Sequence, residues 1–309
     1  MKARIKLLAT LLTIGAAVAA LAPPVASAKA DPCSPWQGRT LLSGQGWLEN
    51  LTFDGRGGMT LSALAQSKLL RLLPSGELST LLSPVSAPGG QRLRGNVLYF
   101  NTGDTVSPAP TGTVDRLDLR TGLRSTWATG LTMPNGLVFL PGGDAVVSGE
   151  VPPEIGLTRI PARDPMHPQF GWAQLGDTNG MAVSRSGRWL YVDRTPPLVA
   201  DGEVDRVLIS HPSTVQVVGR LGTGTFPDDM TIDRHGVLYI AAFVAGKIYR
   251  LDPRTHSVCA IASNLTFPTA VKFGGRGWNA RDLYATDAMG HVTELTPPRI
   301  QRPFRHRGG

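Results

Sequence analysis

Apolar and polar residues alternate along the chain in short runs that end at glycine, and the same arrangement recurs. Each copy has a polar residue, then usually glycine or aspartate, an alternating apolar strand, a glycine turn and a second strand. Clear copies are MPNGLVFLPGGDAVVSGE from Met133, DTNGMAVSRSGRWLYVDRT from Asp177, FPDDMTIDRHGVLYIAAF from Phe226, FPTAVKFGGRGWNARDLYATDA from Phe267 and WLENLTFDGRGGMTLSALA from Trp47. A weaker sixth copy is GGQRLRGNVLYFNTG from Gly89. The pattern predicts repeated antiparallel hairpins.

The polar residue that opens each copy defines the period of the repeat. Successive copies place Glu49, Gln91, Asn135, Asn179, Asp228 and Thr269 there, with gaps of about 42, 44, 44, 49 and 41 residues. A period of this size accommodates four strands, which make one blade of a β-propeller. The sequence therefore predicts an all-β fold, a six-bladed propeller with four-stranded blades. Chance periodicity in a glycine-rich β-sandwich is the alternative.

The last copy has only three strands, the third being GHVTELT at 290–296. The segment GRTLLSG at 38–44, before the first copy, is the candidate for the missing fourth strand. We expect it to complete blade six and close the ring, because an open sheet edge would otherwise be exposed. Cys33 would then lie beside Cys259 in blade five, which predicts a disulfide. A free, buried Cys259 is the alternative.

Both ends of the chain differ in composition from the repeats. Residues 1–28 carry three basic residues, an apolar run and a small-residue cleavage site, which predicts a secretory signal peptide; an uncleaved anchor is the alternative. Residues 29–298 are the predicted propeller, and 299–309 a basic, disordered tail. Removing the signal lowers the formal charge from +8 by three, to +5. The expected location is secreted or periplasmic, with no stable membrane span in the mature form.

In a propeller the innermost strands surround one axis, so the polar residues that open the copies would lie near that axis. Glu49, Asn135, Asn179 and Asp228 would converge there. Two carboxylates and two amide oxygens suit Ca²⁺, with Mg²⁺, Mn²⁺ or Zn²⁺ as alternative divalent cations. A cation would also relieve the repulsion between the acids. Taken singly, each of these residues is more simply explained as a turn or surface residue.

The order and phase of these motifs resemble the regucalcin/gluconolactonase superfamily, to which calcium-dependent paraoxonases and diisopropyl fluorophosphatase are related. The resemblance rests on PNGL at 134–137, TNGM at 178–181, PDDMTID at 227–233, FGG at 273–275 and LYATDA at 283–288. It implies that Glu49, Asn135, Asn179 and Asp228 are the family's metal ligands. It leaves Asp229, where related chains have Asn or Gly, as an additional ligand or a helper to the base.

The resemblance implies metal-assisted hydrolysis of a small-molecule lactone or ester. The cation would polarise the carbonyl, and Asp228 would be the catalytic residue, as general base or nucleophile. Sugar-acid lactonases of this family carry an Arg where this chain has Met133, which favours a less polar substrate. Trp47, Met133, Phe226 and Phe267 adjoin the ring positions and are candidate pocket residues.

Other classes of function remain as alternatives or are disfavoured. A non-catalytic secreted binding propeller and a strictosidine-synthase-like enzyme share the architecture, and fold alone does not decide between them. The chain lacks the interleaved basic and aromatic residues of nucleic-acid binders, so no nucleic-acid partner is expected. The Gly-x-Ser-x-Gly, His-Glu-x-x-His and phosphate-loop motifs are absent from the sequence. The sequence carries no signal for an oligomeric state.

Overall fold

The computed structural model describes residues 31–105, 109–149, 156–194 and 200–298. They form six four-stranded antiparallel sheets, which confirms the six-bladed propeller. Within these ranges the helical content is one 3₁₀ turn, Leu64–Gln66. No described helix is long and apolar enough to cross a membrane. The predicted signal peptide and basic tail lie outside the described residues.

Each blade runs from an inner to an outer strand. Blade one is β2 (Leu48–Phe53), β3 (Met59–Ala63), β4 (Lys68–Leu72) and β5 (Leu78–Leu82); blade two is β6 (Gln91–Arg94), β7 (Val97–Thr102), β8 (Gly112–Asp118) and β9 (Arg124–Leu131); blade three is β10 (Pro134–Phe139), β11 (Ala145–Gly149), β12 (Leu157–Ile160) and β13 (Gln169–Ala173). Blade four is β14 (Thr178–Val183), β15 (Trp189–Arg194), β16 (Asp201–Leu208) and β17 (His211–Thr223); blade five is β18 (Pro227–Ile232), β19 (Leu238–Ala242), β20 (Lys247–Asp252) and β21 (Ser257–Ala262); blade six is β22 (Pro268–Phe273), β23 (Leu283–Asp287), β24 (Val292–Thr296) and β1 (Gln37–Leu42).

Blade six is completed by the N-terminal strand, as the sequence predicted. β1 pairs antiparallel with β24, with Gln37 opposite Thr296 and Thr40 opposite Thr293. The disulfide between Cys33 and Cys259 is also confirmed, with a Cα–Cα distance of 5.8 Å. The strand and the disulfide together hold the start of the described chain against blades five and six. Because β1 pairs with β24, the edge of β24 is not left unpaired.

The core consists of apolar clusters between neighbouring blades. Alternating residues on both faces of each sheet pack against the next sheet, which is why the strands are apolar on both faces. Between blades four and five, for example, fully buried Val204 packs with Leu238 and Ile240. Burying each such side chain contributes about 1.5–3 kcal/mol. Because this packing fixes every blade against its neighbours, the inner strands are held around one axis.

Candidate functional site

Five of the six inner strands, all but that of blade two, share a local irregularity where the candidate ligands lie. The pairing register shifts between Leu48 and Asn50, Pro134 and Leu137, Thr178 and Met181, Pro227 and Met230, and Pro268 and Ala270. A β-bulge of this kind leaves residues without a cross-strand partner and redirects their side chains. The candidate ligands Glu49, Asn135, Asn179 and Asp228 all lie within these bulges. The bulges therefore turn side chains of a buried strand toward the ring axis.

One cavity of about 370 Å³ collects these four side chains. Its lining comprises Trp47, Glu49, Leu64, Asp104, Thr105, Met133, Asn135, Asn179, Phe226, Asp228 and Phe243. Glu49, Asn135, Asn179 and Asp228 are each exposed by 7% or less. The structure therefore brings residues from blades one, three, four and five into a single buried polar group.

The equivalent residues of blades two and six, Gln91 and Thr269, do not line the cavity. Gln91 is fully buried and donates to the Ser62 hydroxyl at 2.8 Å, whereas Thr269 donates to the Leu48 carbonyl at 2.6 Å. Blade two instead supplies Asp104 and Thr105 to the cavity. The sequence analysis missed both, because they follow the second strand of the weakest repeat copy. An acid directly after a Gly at the end of that strand was the available signal.

Glu49 has two hydrogen-bond donors and an unfavourable environment for its charge. The Trp47 Nε1–H donates to Oε2 at 2.6 Å, and the Asn135 Nδ2–H donates to Oε1 at 3.4 Å. Burial nevertheless raises the pKa of Glu49 to about 7, against the lowering effect of these two bonds, and the negative charge of Asp229 adds to the rise. A positive charge in the cavity would stabilise the ionised form.

The glycines after Asn135 and Asn179 do not form turns. Both lie inside inner strands, and neither has a positive φ. A Cβ on Gly180 would lie 2.5 Å from the Cα of Asp229 in the next blade. A Cβ on Gly136 would likewise collide with the Asn179 carbonyl oxygen. The structure therefore excludes the turn explanation of the two Asn-Gly pairs and shows that glycine allows neighbouring inner strands to approach closely.

Asp229 faces a different set of partners from Asp228. Its Oδ2 accepts from Lys272 Nζ at 2.5 Å and from Asn50 Nδ2 at 2.9 Å, and its Oδ1 accepts from the Met230 amide at 2.7 Å. Asp229 does not line the cavity. Burial lowers the pKa of Lys272 to about 8, so its ammonium is still mostly protonated at neutral pH. The structure thus separates Asp229 from the other four predicted ligands and places it in an ion pair.

The donor set fits a hard divalent cation when its amide oxygens are counted. Among the described residues, no three His, Cys, Asp or Glu side chains gather at one point, so carboxylates alone would not suffice. Glu49 and Asp228 supply carboxylate oxygen, and Asn135 and Asn179 supply amide oxygen, which are the atoms that Ca²⁺ prefers. Because Asn135 presents its nitrogen to Glu49, a cation would require that amide to turn its oxygen inward.

Aromatic side chains surround the cavity mouth. The Phe243 ring centroid lies 5.6 Å from that of Trp47, 6.2 Å from that of Phe226 and 5.1 Å from that of Phe267. Of the pocket residues predicted from sequence, Trp47, Met133 and Phe226 line the cavity, and Phe267 reaches it only through its contact with Phe243. Phe243 was missed, although it directly follows β19, the second strand of blade five.

Comparisons with known proteins confirm the resemblance. Residues 169–289 match the family model described as SMP-30/Gluconolactonase/LRE-like region. The chain is 32% identical over 120 residues to 6-deoxy-6-sulfogluconolactonase of Pseudomonas putida, covering 36% of this chain and 38% of that protein. It is 34% identical over 144 residues to the putative sugar lactone lactonase YvrE of Bacillus subtilis, covering 44% and 45%. The matched segments thus span less than half of these relatives.

Solved structures extend the likeness of fold to most of the chain. A gluconolactonase of Xanthomonas campestris superposes with a TM-score of 0.71 at 17% identity, covering 85% of this chain and 90% of that one. Regucalcin of Agrobacterium tumefaciens, described as a calcium-binding protein, gives 0.67 at 17% identity, covering 85% and 94%. At this identity the superpositions establish the propeller fold.

Proposed function

We propose that this protein is a hydrolase of a small lactone or ester that works with a divalent cation, Ca²⁺ first, in the central cavity. The observation that carries the proposal is the meeting of Glu49, Asn135, Asn179 and Asp228, from four blades, at one buried cavity. The similarity to lactonases over residues 169–289 supports the reaction class. The calcium-binding description of the regucalcin neighbour supports the choice of ion.

The four converging side chains have separable roles in this proposal. Glu49, Asn135 and Asn179 would hold the cation, with Asp228 as a fourth ligand. A bound dication supplies a Lewis acid that polarises the substrate carbonyl. The Trp47 indole fixes Glu49 through its hydrogen bond. Asp229, paired with Lys272, is assigned a supporting position rather than a ligand role.

In the proposed reaction, Asp228 either accepts a proton from water as a general base or forms a covalent bond with the substrate as a nucleophile. As a general base, its carboxylate takes a proton from water while the water oxygen bonds to the carbonyl carbon. The acyl C–O bond then breaks, and the proton passes to the alkoxide that leaves. As a nucleophile, the carboxylate itself bonds to the carbonyl carbon and the acyl C–O bond breaks, so that the alkoxide leaves and takes a proton from water. The hydroxide so formed then cleaves the resulting anhydride, which releases the product acid and restores the carboxylate. Both routes give the same hydroxy acid or the same acid and alcohol.

The cavity favours a neutral substrate of modest polarity. Its described lining contains acids, amides and apolar side chains but no Lys or Arg. Met133 lines it where sugar-acid lactonases of the family are expected to carry an Arg. Away from the proposed cation, a substrate carboxylate or sulfonate would find no cationic side chain among the described lining residues.

We further propose that the protein acts outside the cytoplasm. The disulfide between Cys33 and Cys259 is consistent with an oxidising compartment. The signal predicted at residues 1–28 would direct the chain to the periplasm or the medium. Comparison of culture fractions by mass spectrometry, with the N-terminal peptide of the mature protein identified, tests this; recovery of the full-length chain from the cytoplasm alone would contradict it.

The metal and the reaction are tested together on the purified protein. Calorimetric titration with CaCl₂, MgCl₂, MnCl₂ and ZnCl₂ measures binding, and a panel of lactones, aryl esters and organophosphates measures hydrolysis with and without chelator. Asp228→Asn is expected to lower kcat by about 10²–10⁴-fold. Asp164→Asn, at an exposed acid in blade three, is the matched control and should leave kcat unchanged. Absence of dication binding, or full activity in Asp228→Asn, would refute the proposal.

A further inference from the structure

Four blades place a residue with positive φ directly before the inner strand. These residues are Met133 (φ 40°), Asp177 (φ 58°), Phe226 (φ 52°) and Phe267 (φ 51°). Glycine adopts this region freely, whereas a bulky side chain there is strained. Aspartate tolerates this region, but Met133, Phe226 and Phe267 adopt it at a cost at one structural position, which points to a role of their side chains other than backbone stability.

Three of these four side chains are apolar and belong to the cavity mouth. Met133 and Phe226 line the cavity, and Phe267 touches Phe243, which also lines it. Asp177 occupies the same backbone position in blade four but does not line the cavity. The strained position therefore carries an apolar side chain where it adjoins the candidate site and a polar one where it does not.

The rings form one surface, which we call the aromatic platform, made of Trp47, Phe226, Phe243 and Phe267. Phe243 is at its centre, since its ring contacts the other three. The planes of Trp47 and Phe267 are tilted from that of Phe243 by only 24° and 32°. Trp47 and Phe267 remain 38% and 44% exposed, so the platform keeps uncovered ring area.

The platform is joined to the reacting groups through Trp47. The same indole that stacks on Phe243 donates its Nε1–H to Glu49. A group packed on the platform therefore lies next to the candidate ligands and Asp228. A flat apolar ring packed here would bury the exposed aromatic area, whereas any hydroxyl turned toward these rings would lose water without gaining a partner.

We propose, resting on the function proposed above, that the substrate is a neutral lactone or ester carrying an aromatic ring, which packs on the aromatic platform, and that Phe243 determines this specificity. The positive-φ residues Phe226 and Phe267 extend the platform through their ring contacts with Phe243. The acid and amide side chains of the cavity then receive the carbonyl end of the same molecule.

The test compares ligands that share the reacting group. Hydrolysis of γ-phenyl-γ-butyrolactone, γ-methyl-γ-butyrolactone and glucono-δ-lactone is measured, together with calorimetric binding of the γ-phenyl and γ-methyl lactams, which are not hydrolysed. We expect kcat/KM for the phenyl lactone, and affinity for the phenyl lactam, to exceed those of the methyl compounds at least tenfold. Phe243→Leu should reduce both ratios to under about threefold, mainly through KM.

Variants at the strained position separate ligand contact from folding. Phe267→Gly is expected to lower the phenyl-to-methyl binding ratio about fivefold and to change Tm by less than about 2 °C, because relief of the positive φ offsets the lost contact with Phe243. Asp177→Gly, at the same backbone position but outside the cavity lining, is the matched control and should leave the ratio unchanged. An unchanged ratio in Phe267→Gly, equal binding of the two lactams, or a preference for glucono-δ-lactone would overturn the proposal.

The two readouts distinguish failure of this inference from failure of the proposed function. Hydrolysis of the lactones without a phenyl preference leaves the hydrolase standing and refutes the ligand class. Tenfold tighter binding of the phenyl lactam, without hydrolysis of any of these lactones or of the aryl esters of the earlier panel, supports the ligand class and refutes the hydrolase.

Discussion

Replacing Lys272 by methionine removes the charge partner of a buried carboxylate while nearly conserving side-chain volume. Asp229 is only 3% exposed and Lys272 9%, with the two charges in direct contact. In Lys272→Met, Asp229 keeps its hydrogen bonds from Asn50 and the Met230 amide but loses the cation that contacts it directly, and only the more distant charge of Arg92 remains. Breaking one side of a buried pair costs about 3–5 kcal/mol. The similar volume of methionine keeps any cavity cost small.

Urea denaturation at pH 7 in the presence of chelator measures this loss without a contribution from cation binding. For a domain of this size, about 3–5 kcal/mol corresponds to a fall in Tm of about 10 °C. The double variant Lys272→Met/Asp229→Asn should recover most of the loss, because the buried charge is gone with its partner. A cycle completed with Asp229→Asn gives the coupling energy directly.

A surface ion pair provides the control for the buried one. Arg39 binds Glu294 at 2.6 Å, but the Arg39 side chain is 71% exposed. Arg39→Met is therefore expected to lower the free energy of unfolding much less than Lys272→Met does. The reasoning fails if Lys272→Met costs no more than Arg39→Met, or if the double variant is as unstable as Lys272→Met alone.

Two further outcomes are expected from the inner strands. Without a cation, the pKa of Glu49 in the folded protein is about 7, against an ordinary value of 4.5. Its contribution to the free energy of unfolding is therefore fully present below pH 4.5 and is lost as the pH rises through 7, by up to roughly 3 kcal/mol. Urea denaturation at pH 5 and 8 with chelator measures this, and an equal pH slope in Glu49→Gln would contradict it. Gly180→Ala should lower the free energy of unfolding by about 2 kcal/mol or more, because the added Cβ would collide with the backbone of Asp229. Gly142→Ala should lower it by under about 0.5 kcal/mol, because no atom lies within 4 Å of the added Cβ. Equal unfolding free energies for these two variants would show that the inner strands are not closely packed.

The positions of the candidate ligands illustrate what could be read from the chain. Glu49, Asn135, Asn179 and Asp228 occupy the same phase of a repeat, and repeats arranged around an axis carry equivalent positions to the same place. The structure brings all four to one cavity. Their shared β-bulge was not predictable, because the alternation of apolar residues does not reveal which residue loses its cross-strand partner.

Contacts between blades account for the residues that sequence reasoning placed differently or missed. Asp229 differs from Asp228 by one position, yet it faces Lys272, which lies 43 residues further along the chain and in the next blade. Phe243 and Asp104 follow the second strands of their blades, where the repeat pattern gave no reason to expect a cavity wall. The Asp229 and Phe243 side chains each contact residues of other blades, Asn50 and Trp47 of blade one among them.

The sequence by itself determined the number of blades, the N-terminal strand that completes the ring and the pairing of Cys33 with Cys259. These features follow from a local, repeated pattern, because the period of the strands, the turn residues and the number of copies can be read directly along the chain. Only the tertiary structure decided which acid faces the cavity and which is neutralised. That choice depends on burial and on charges brought together by blade packing, which no stretch of consecutive residues contains.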